Sequence, residues 1–142
     1  MNKKKESPAA AFLDLLFVFF ERSFIMETLT YMLFGTPYNI CFEKTMYLDE
    51  DHNPAIRMFL VENEQITEPF GNLSVNLGHI PKEYKKDGKI AVFLDTNNLP
   101  DLPDFIKSNN LGENTGYIRQ SGYCLYPLYL LDEDIIKLYT IH

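Results

Sequence analysis

Apolar and polar residues alternate with a period of two through much of this chain. Asn72–Leu77 shows it most cleanly, with Leu73, Val75 and Leu77 on one side and Asn72, Ser74 and Asn76 on the other, the pattern of a strand with one buried face. Ile90–Asp95 repeats it with Ile90, Val92 and Leu94. Ala55–Glu62 alternates too, but Phe59 and Val61 occupy the face opposite Ile56, Met58 and Leu60, which predicts a strand covered on both sides. Thr28–Phe34 and Tyr38–Tyr47 are aromatic and β-branched runs parted by Gly35-Thr36-Pro37, a hairpin signal. Tyr123–Leu131 reads as a last strand, in which Pro127 fits only an edge or a bulge.

The period changes at two places. After Asp95, Asp101 can cap a helix, Pro103 suits its first turn, Phe105, Ile106 and Leu111 supply an apolar side, and Gly112 closes it. Asp132-Glu133-Asp134 then places acids at the start of a short terminal helix carrying Ile135, Ile136 and Leu138. The segment from Gly112 to Gly122 reads as a glycine-flanked loop. The predicted fold class is α+β: one antiparallel β-meander of about five to six strands with one or two helices packed on it.

The start of the chain stands apart. Lys3-Lys4-Lys5 precede Ser7-Pro8 and the run Ala9–Phe20, whose apolar residues surround the predicted helix on every side. Asp14 interrupts the run and no small-residue cleavage site follows, unlike a signal peptide. Twelve helical residues span roughly 18 Å, short of the roughly 30 Å hydrocarbon core, so no membrane anchor is expected and the chain reads as cytoplasmic. Met26 opens METLTYMLFG, a self-sufficient domain start. Residues 1–25 are therefore taken as an N-terminal extension upstream of a single domain, 26–142; the alternative is a helix that docks on the domain or on an oligomer partner.

Charge narrows the function classes. At 142 residues and a net charge of −7, the protein repels phosphate backbones, which argues against direct nucleic-acid binding and for a basic protein partner. The acidity belongs to residues 26–142, which hold nine bases against seventeen acids. Cys41 and Cys124, and His52, His79 and His142, are too scattered for a metal site. Asp49-x-Asp51-x-Asn53 imitates the opening of a calcium loop, but Pro54 and Leu60 stand where glycine and glutamate are needed. Asp49, Glu50 and Asp51 therefore read as an acidic turn and a contact surface for a basic partner. Lys82–Lys89 is the one basic cluster, expected to be a solvated loop.

The polar corner Asp95-Thr96-Asn97-Asn98 has two readings. Asp and Asn side chains close strand ends by bonding to nearby backbone. Alternatively, Arg119 and Ser121 approach the same end of the sheet, and carboxylate, amides, guanidinium and hydroxyl together hold a small polar ligand. Arg119 is the residue most expected to act in binding, since no packing role is evident for a guanidinium there. No nucleophile has a base beside it and no phosphate loop occurs, so neither catalytic residues nor a cofactor is assigned.

"LSVNL", "FLDTNNLPDLPDFIKSNNLG" and "SGYCLYPL", in this order and spacing, resemble an uncharacterised bacterial family, a domain of unknown function (family 4313) of small proteins from Gram-positive mobile elements. The resemblance runs from about Met26 to Asp134 and implies no catalytic residues. It implies a mobile-element context in which an acidic, non-enzymatic protein suits counter-defence: occupying the basic nucleic-acid channel of a host RNA-guided nuclease and blocking RNA or DNA loading. The alternative is a small ligand-binding protein or enzyme built on Asp95–Asn98 with Arg119.

Overall fold

A computed structural model of the protein describes residues 26–141. Residues 1–25, which carry the expected N-terminal helix, and residue 142 lie outside the described residues. The α+β class with an antiparallel meander is present, but the strands form two four-stranded sheets rather than one. In the first, β1 (Leu29–Leu33), β2 (Thr36–Met46), β3 (Pro54–Glu62) and β4 (Gln65–Asn72) lie in chain order. The second comprises β5 (Ser74–Val75), β6 (Lys89–Leu94), β7 (Gly112–Ser121) and β8 (Cys124–Asp132), in the spatial order β5-β6-β8-β7. Helices α1 (Leu102–Ser108) and α2 (Glu133–Leu138) complete the fold, with a 3-10 turn at Lys82–Tyr84.

Local chemistry sets the turns. Phe34 and Gly35 both have positive φ, 50° and 79°, as do Asn63 and Glu64 at 52° and 63°. Each pair makes a two-residue hairpin loop whose twist matches the flanking strands. The chain then passes between sheets without a loop. Leu73 N–H donates to Ile56 O (3.0 Å), and Leu73 O accepts from Asp95 N–H (3.0 Å). One residue is thus shared by β3 and the end of β6. At the far end, Phe42 exchanges bonds of 2.7 Å with Tyr139 O and Ile141 N–H. The chain terminus thereby pairs with β2 just beyond the reach of the short β1, which ends its pairing at Ile40.

The two sheets face each other across one core, to which they contribute Tyr31, Phe42, Ile56 and Met58, and Ile90, Val92, Leu94 and Leu131. Leu102, Phe105 and Ile106 of α1 and Ile136 of α2 insert into the same cluster. A second cluster lies on the opposite face of the second sheet, where Ala91, Phe93, Leu128 and Leu130 are covered by Ile80 and Tyr84. β6 is therefore buried on both faces, which explains the unbroken apolar run Ile90–Leu94.

Three expectations are corrected. Gly112–Ser121 is not a loop but the edge strand β7, and its polar composition reflects an exposed edge. A bulge interrupts its pairing between Asn114 and Ile118. There Thr115 Oγ1 donates to Leu128 O (2.8 Å), and Pro127, which has no N–H to offer, sits opposite Ile118 just past the bulge. Asp101 occupies the cap position of α1 but makes no capping bond, because its carboxylate accepts the hydroxyl of buried Tyr31. Burial first, then Asp101, pushes the Tyr31 phenol up. Lastly, α1 is closed by Asn110 in the left-handed region (φ 53°), with Leu111 N–H reaching back to Ile106 O, while Gly112 already belongs to β7.

Gly112 is needed for close approach rather than for a turn. A Cβ there would lie 2.2 Å from Leu130 O and 2.7 Å from Leu131 Cα. Gly112→Ala should therefore push β7 off β8 and cost about 3 kcal/mol in urea unfolding. Gly116→Ala, at φ 86° with open space around it, should cost only about 1–2 kcal/mol of backbone strain. A Gly112→Ala protein as stable as the parent would show that the two strands pair loosely.

Candidate functional site

The polar corner is made by the end of β6. Asp95 is 5% exposed. Its N–H bonds Leu73 O, its Oδ2 accepts Asn98 Nδ2 (2.8 Å), and its carbonyl accepts Leu99 N–H (3.0 Å). Thr96 N–H turns back to Leu94 O (2.8 Å). Asn97 is exposed, and its Oδ1 accepts the Cys124 thiol (3.2 Å), which ties the corner to the β7–β8 hairpin. These bonds build a tight strand end of the Asx type and engage most of its polar atoms.

Two phenols flank Asp95 that the sequence did not single out. Tyr47 bonds Ser74 Oγ (2.9 Å), and Ser74 Oγ in turn accepts Ile56 N–H (2.9 Å) in a buried site. Burial pushes the Tyr47 phenol up, opposed by the Ser74 bond and reinforced by the Asp95 charge. Burial, then Cys124 and Asp95, pushes Tyr126 up as well. Nothing in their spacing along the chain signals this grouping, since Tyr47, Ser74, Asp95 and Tyr126 come from four separate segments.

Arg119 has a packing role, contrary to expectation. Its Nη1 donates to Leu77 O (2.9 Å) and His79 O (2.5 Å), and its Nη2 donates to Tyr117 Oη (2.9 Å). The guanidinium also lies 4.8 Å from the Phe93 ring centre and 5.4 Å from that of Tyr117. It fastens the Leu77–His79 segment over the second sheet, using the planar fork that suits two carbonyls at once. Among the described residues it makes no hydrogen bond or ion pair with Asp95–Asn98. Ser121 is exposed at the hairpin end, paired with Cys124.

The acidic turn is also tied down in part. Asp49 accepts His52 N–H (3.0 Å) and Asn76 Nδ2 (2.6 Å), Asp51 lies 3.9 Å from His79, and Asn53 Nδ2 donates to Gly78 O (2.5 Å). Of the three acids only Glu50 is exposed, Asp49 and Asp51 being half-buried. The Asn76 amide, and then the local backbone, hold the Asp49 carboxyl below its usual range.

The larger cavities lie away from the Asp95–Asn98 corner, the first of them against the acidic turn at Asp51–Asn53. Two of about 370 and 410 Å³ share Lys44, Ile90 and Glu133 as a common wall. Lys85, Lys86 and Lys89 line the first and Lys137 the second, with Asp51, Asp87, Glu133 and Asp134 interspersed. Lys89 is paired with Asp132. The result is a cleft of nearly balanced charge. Among the described residues, no three His, Cys, Asp or Glu side chains are placed to hold a metal ion, and no helix is long and apolar enough to cross a membrane.

A family model described as a domain of unknown function (DUF4313) matches residues 41–141, from within β2 to the last described residue; β1 falls outside the matched span. No curated protein and no solved structure matches the chain.

The Arg119 contacts predict that Arg119→Ala lowers stability by about 1.5–3 kcal/mol, the range for hydrogen bonds to a charged group. Arg119→Lys should recover only part of it, because an ammonium cannot span both carbonyls and the aromatic faces. Unchanged melting in both variants would remove the packing role. Asp49 makes a pH prediction. Its folded pKa lies below the ordinary 3.8, so its contribution is present above that pH and lost as pH falls through the folded value. The wild type should be more stable than Asp49→Asn near neutrality, and the gap should close in acid. A gap that persists at all pH values would contradict this.

Proposed function

Since the chain belongs to the DUF4313 family, a domain of unknown function that brings no assigned chemistry, we propose a function from charge and exposure: it acts by binding a basic protein partner, with the β3–β4 hairpin as the leading contact. One observation carries this reading. From Glu62 to Pro69 every residue of the hairpin is exposed, and Glu62, Glu64 and Glu68 stand on it with no described cation beside them. Five of the nine bases in residues 26–142 are meanwhile gathered at the cleft walls, which leaves the rest of the surface strongly acidic. Clustered exposed carboxylates attract a basic surface over a Debye length of about 8 Å and speed encounter.

The finer form of the proposal is counter-defence. An acidic hairpin on a small rigid domain suits a channel lined with Lys and Arg, such as the nucleic-acid channel of a host RNA-guided nuclease, where it competes with RNA or DNA loading. This form is supported by charge and by the resemblance to mobile-element proteins. The corner Asp95–Asn98 with Arg119 is the less favoured reading, because its polar atoms already serve the fold.

Binding should be measured with the full chain and a guide-free RNA-guided nuclease at rising salt. Affinity should fall steeply, and Glu62→Lys, Glu64→Lys and Glu68→Lys together should slow association about tenfold or more without altering the melt. Reversal at Glu50 should add to the effect. Salt-independent binding, or full binding by the reversed hairpin, would sink the proposed contact.

A further inference from the structure

The outer face of the first sheet is buried where the described fold leaves it open. Cys41 of β2 and Val61 of β3 point away from the core that holds Ile40, Phe42 and Met58, yet their exposures are 0% and 5%. Phe59, which pairs with Cys41 on this face, is half-buried. Neither Cys41 nor Val61 joins either apolar cluster. Both helices pack into the first cluster and the Ile80–Tyr84 cover lies on the second sheet, so no described element is placed over this side. The outer face of an uncovered antiparallel sheet keeps its side chains wet. Here the centre of the face is dry, with Met32 and Ile66 half in water at its rim.

We infer that this face is the docking site of the chain's own apolar segment, Ala9–Phe20, which lies outside the described residues. A helix of that length, about 18 Å, matches four strands about 4.8 Å apart, roughly 14 Å across. The nine residues from Phe20 to Leu29 reach up to about 30 Å, ample to turn from the β1 edge onto the face. Phe12, Leu16 and Phe19 recur at the spacing of one helix side. A tethered segment also outcompetes a second copy, since its effective concentration is in the millimolar range. On this inference Ala9–Phe20 docks on the domain instead of standing apart from it as an extension. This inference does not rest on the acidic-hairpin reading.

Cys41 is the reporter, and Cys124, half-buried at the hairpin, is the internal reference. In native full-length protein, maleimide should label Cys124 and spare Cys41. Leu16→Asp should raise Cys41 labelling about tenfold or more and leave Cys124 unchanged, as the face opens locally. Equal protection of Cys41 in both proteins, with both monomeric, overturns the inference. Dimerisation of the Leu16→Asp protein alone supports it, because the uncovered face has then found a second copy. Should Leu16→Asp unfold and label both thiols, Phe12→Cys, Leu16→Cys and Phe19→Cys decide. At least one should close an intramolecular disulfide with Cys41 under mild oxidation, and failure of all three overturns the inference.

Discussion

Everything in this fold hangs on the passage of the chain through Leu73 and Ser74. Leu73 gives its N–H to Ile56 and takes the N–H of Asp95, so a single residue belongs to both sheets. Ser74 Oγ replaces the next ladder bond by accepting Ile56 N–H, and it meets the Tyr47 hydroxyl. A buried N–H without that oxygen would lack a partner, a loss of about 1–3 kcal/mol. Two sheets that share a residue cannot slide over one another, which is why one core can draw side chains from both.

The same economy extends to the other polar groups inside. Tyr31 occupies the carboxylate that would otherwise cap α1, and Arg119 is held between two carbonyls and two rings. Asp95 fixes the turn that follows β6. Each of these residues has the chemical type of a catalytic or ligand-binding group; Tyr31 and Arg119 are spent on joining segments far apart in the chain, and Asp95 on closing a local turn. Among the described residues, Glu50 and the hairpin acids Glu62, Glu64 and Glu68 make no such side-chain bond, and this directs the functional reading to the surface.

Strands with at least one buried face were legible because their apolar positions report burial directly: β1, β2, β3, β6 and β8 lie within a few residues of the sequence reading. β4 and β7 were not. Both are edge strands with polar faces on either side, and Glu64-Gln65-Ile66-Thr67-Glu68 or Glu113-Asn114-Thr115-Gly116 carries no period. Backbone pairing makes these strands, and pairing leaves no mark in side-chain pattern. The division into two sheets was hidden for a related reason, since Leu73 alternates as any strand residue does. The corner was legible as turn chemistry, whereas the role of Arg119 depended on carbonyls forty residues away.

The exposed acids of the β3–β4 hairpin serve the monomer before they serve any partner. β4 is an edge strand whose unpaired backbone would template pairing with another copy. Glu64, Glu68 and Pro69 oppose that, through like-charge repulsion between copies and through a residue with no N–H to donate. A surface that repels itself by charge is, by the same field, attractive to a basic surface, and it needs no reshaping to become a binding site. The second sheet keeps its outer face dry with the Leu77–Tyr84 segment pinned by Arg119, and the first sheet's outer face is dry at Cys41 and Val61. Where the centres of both broad faces are dry, the edge offers the most accessible polar surface among the described strands, and on the β4 side that edge is acidic.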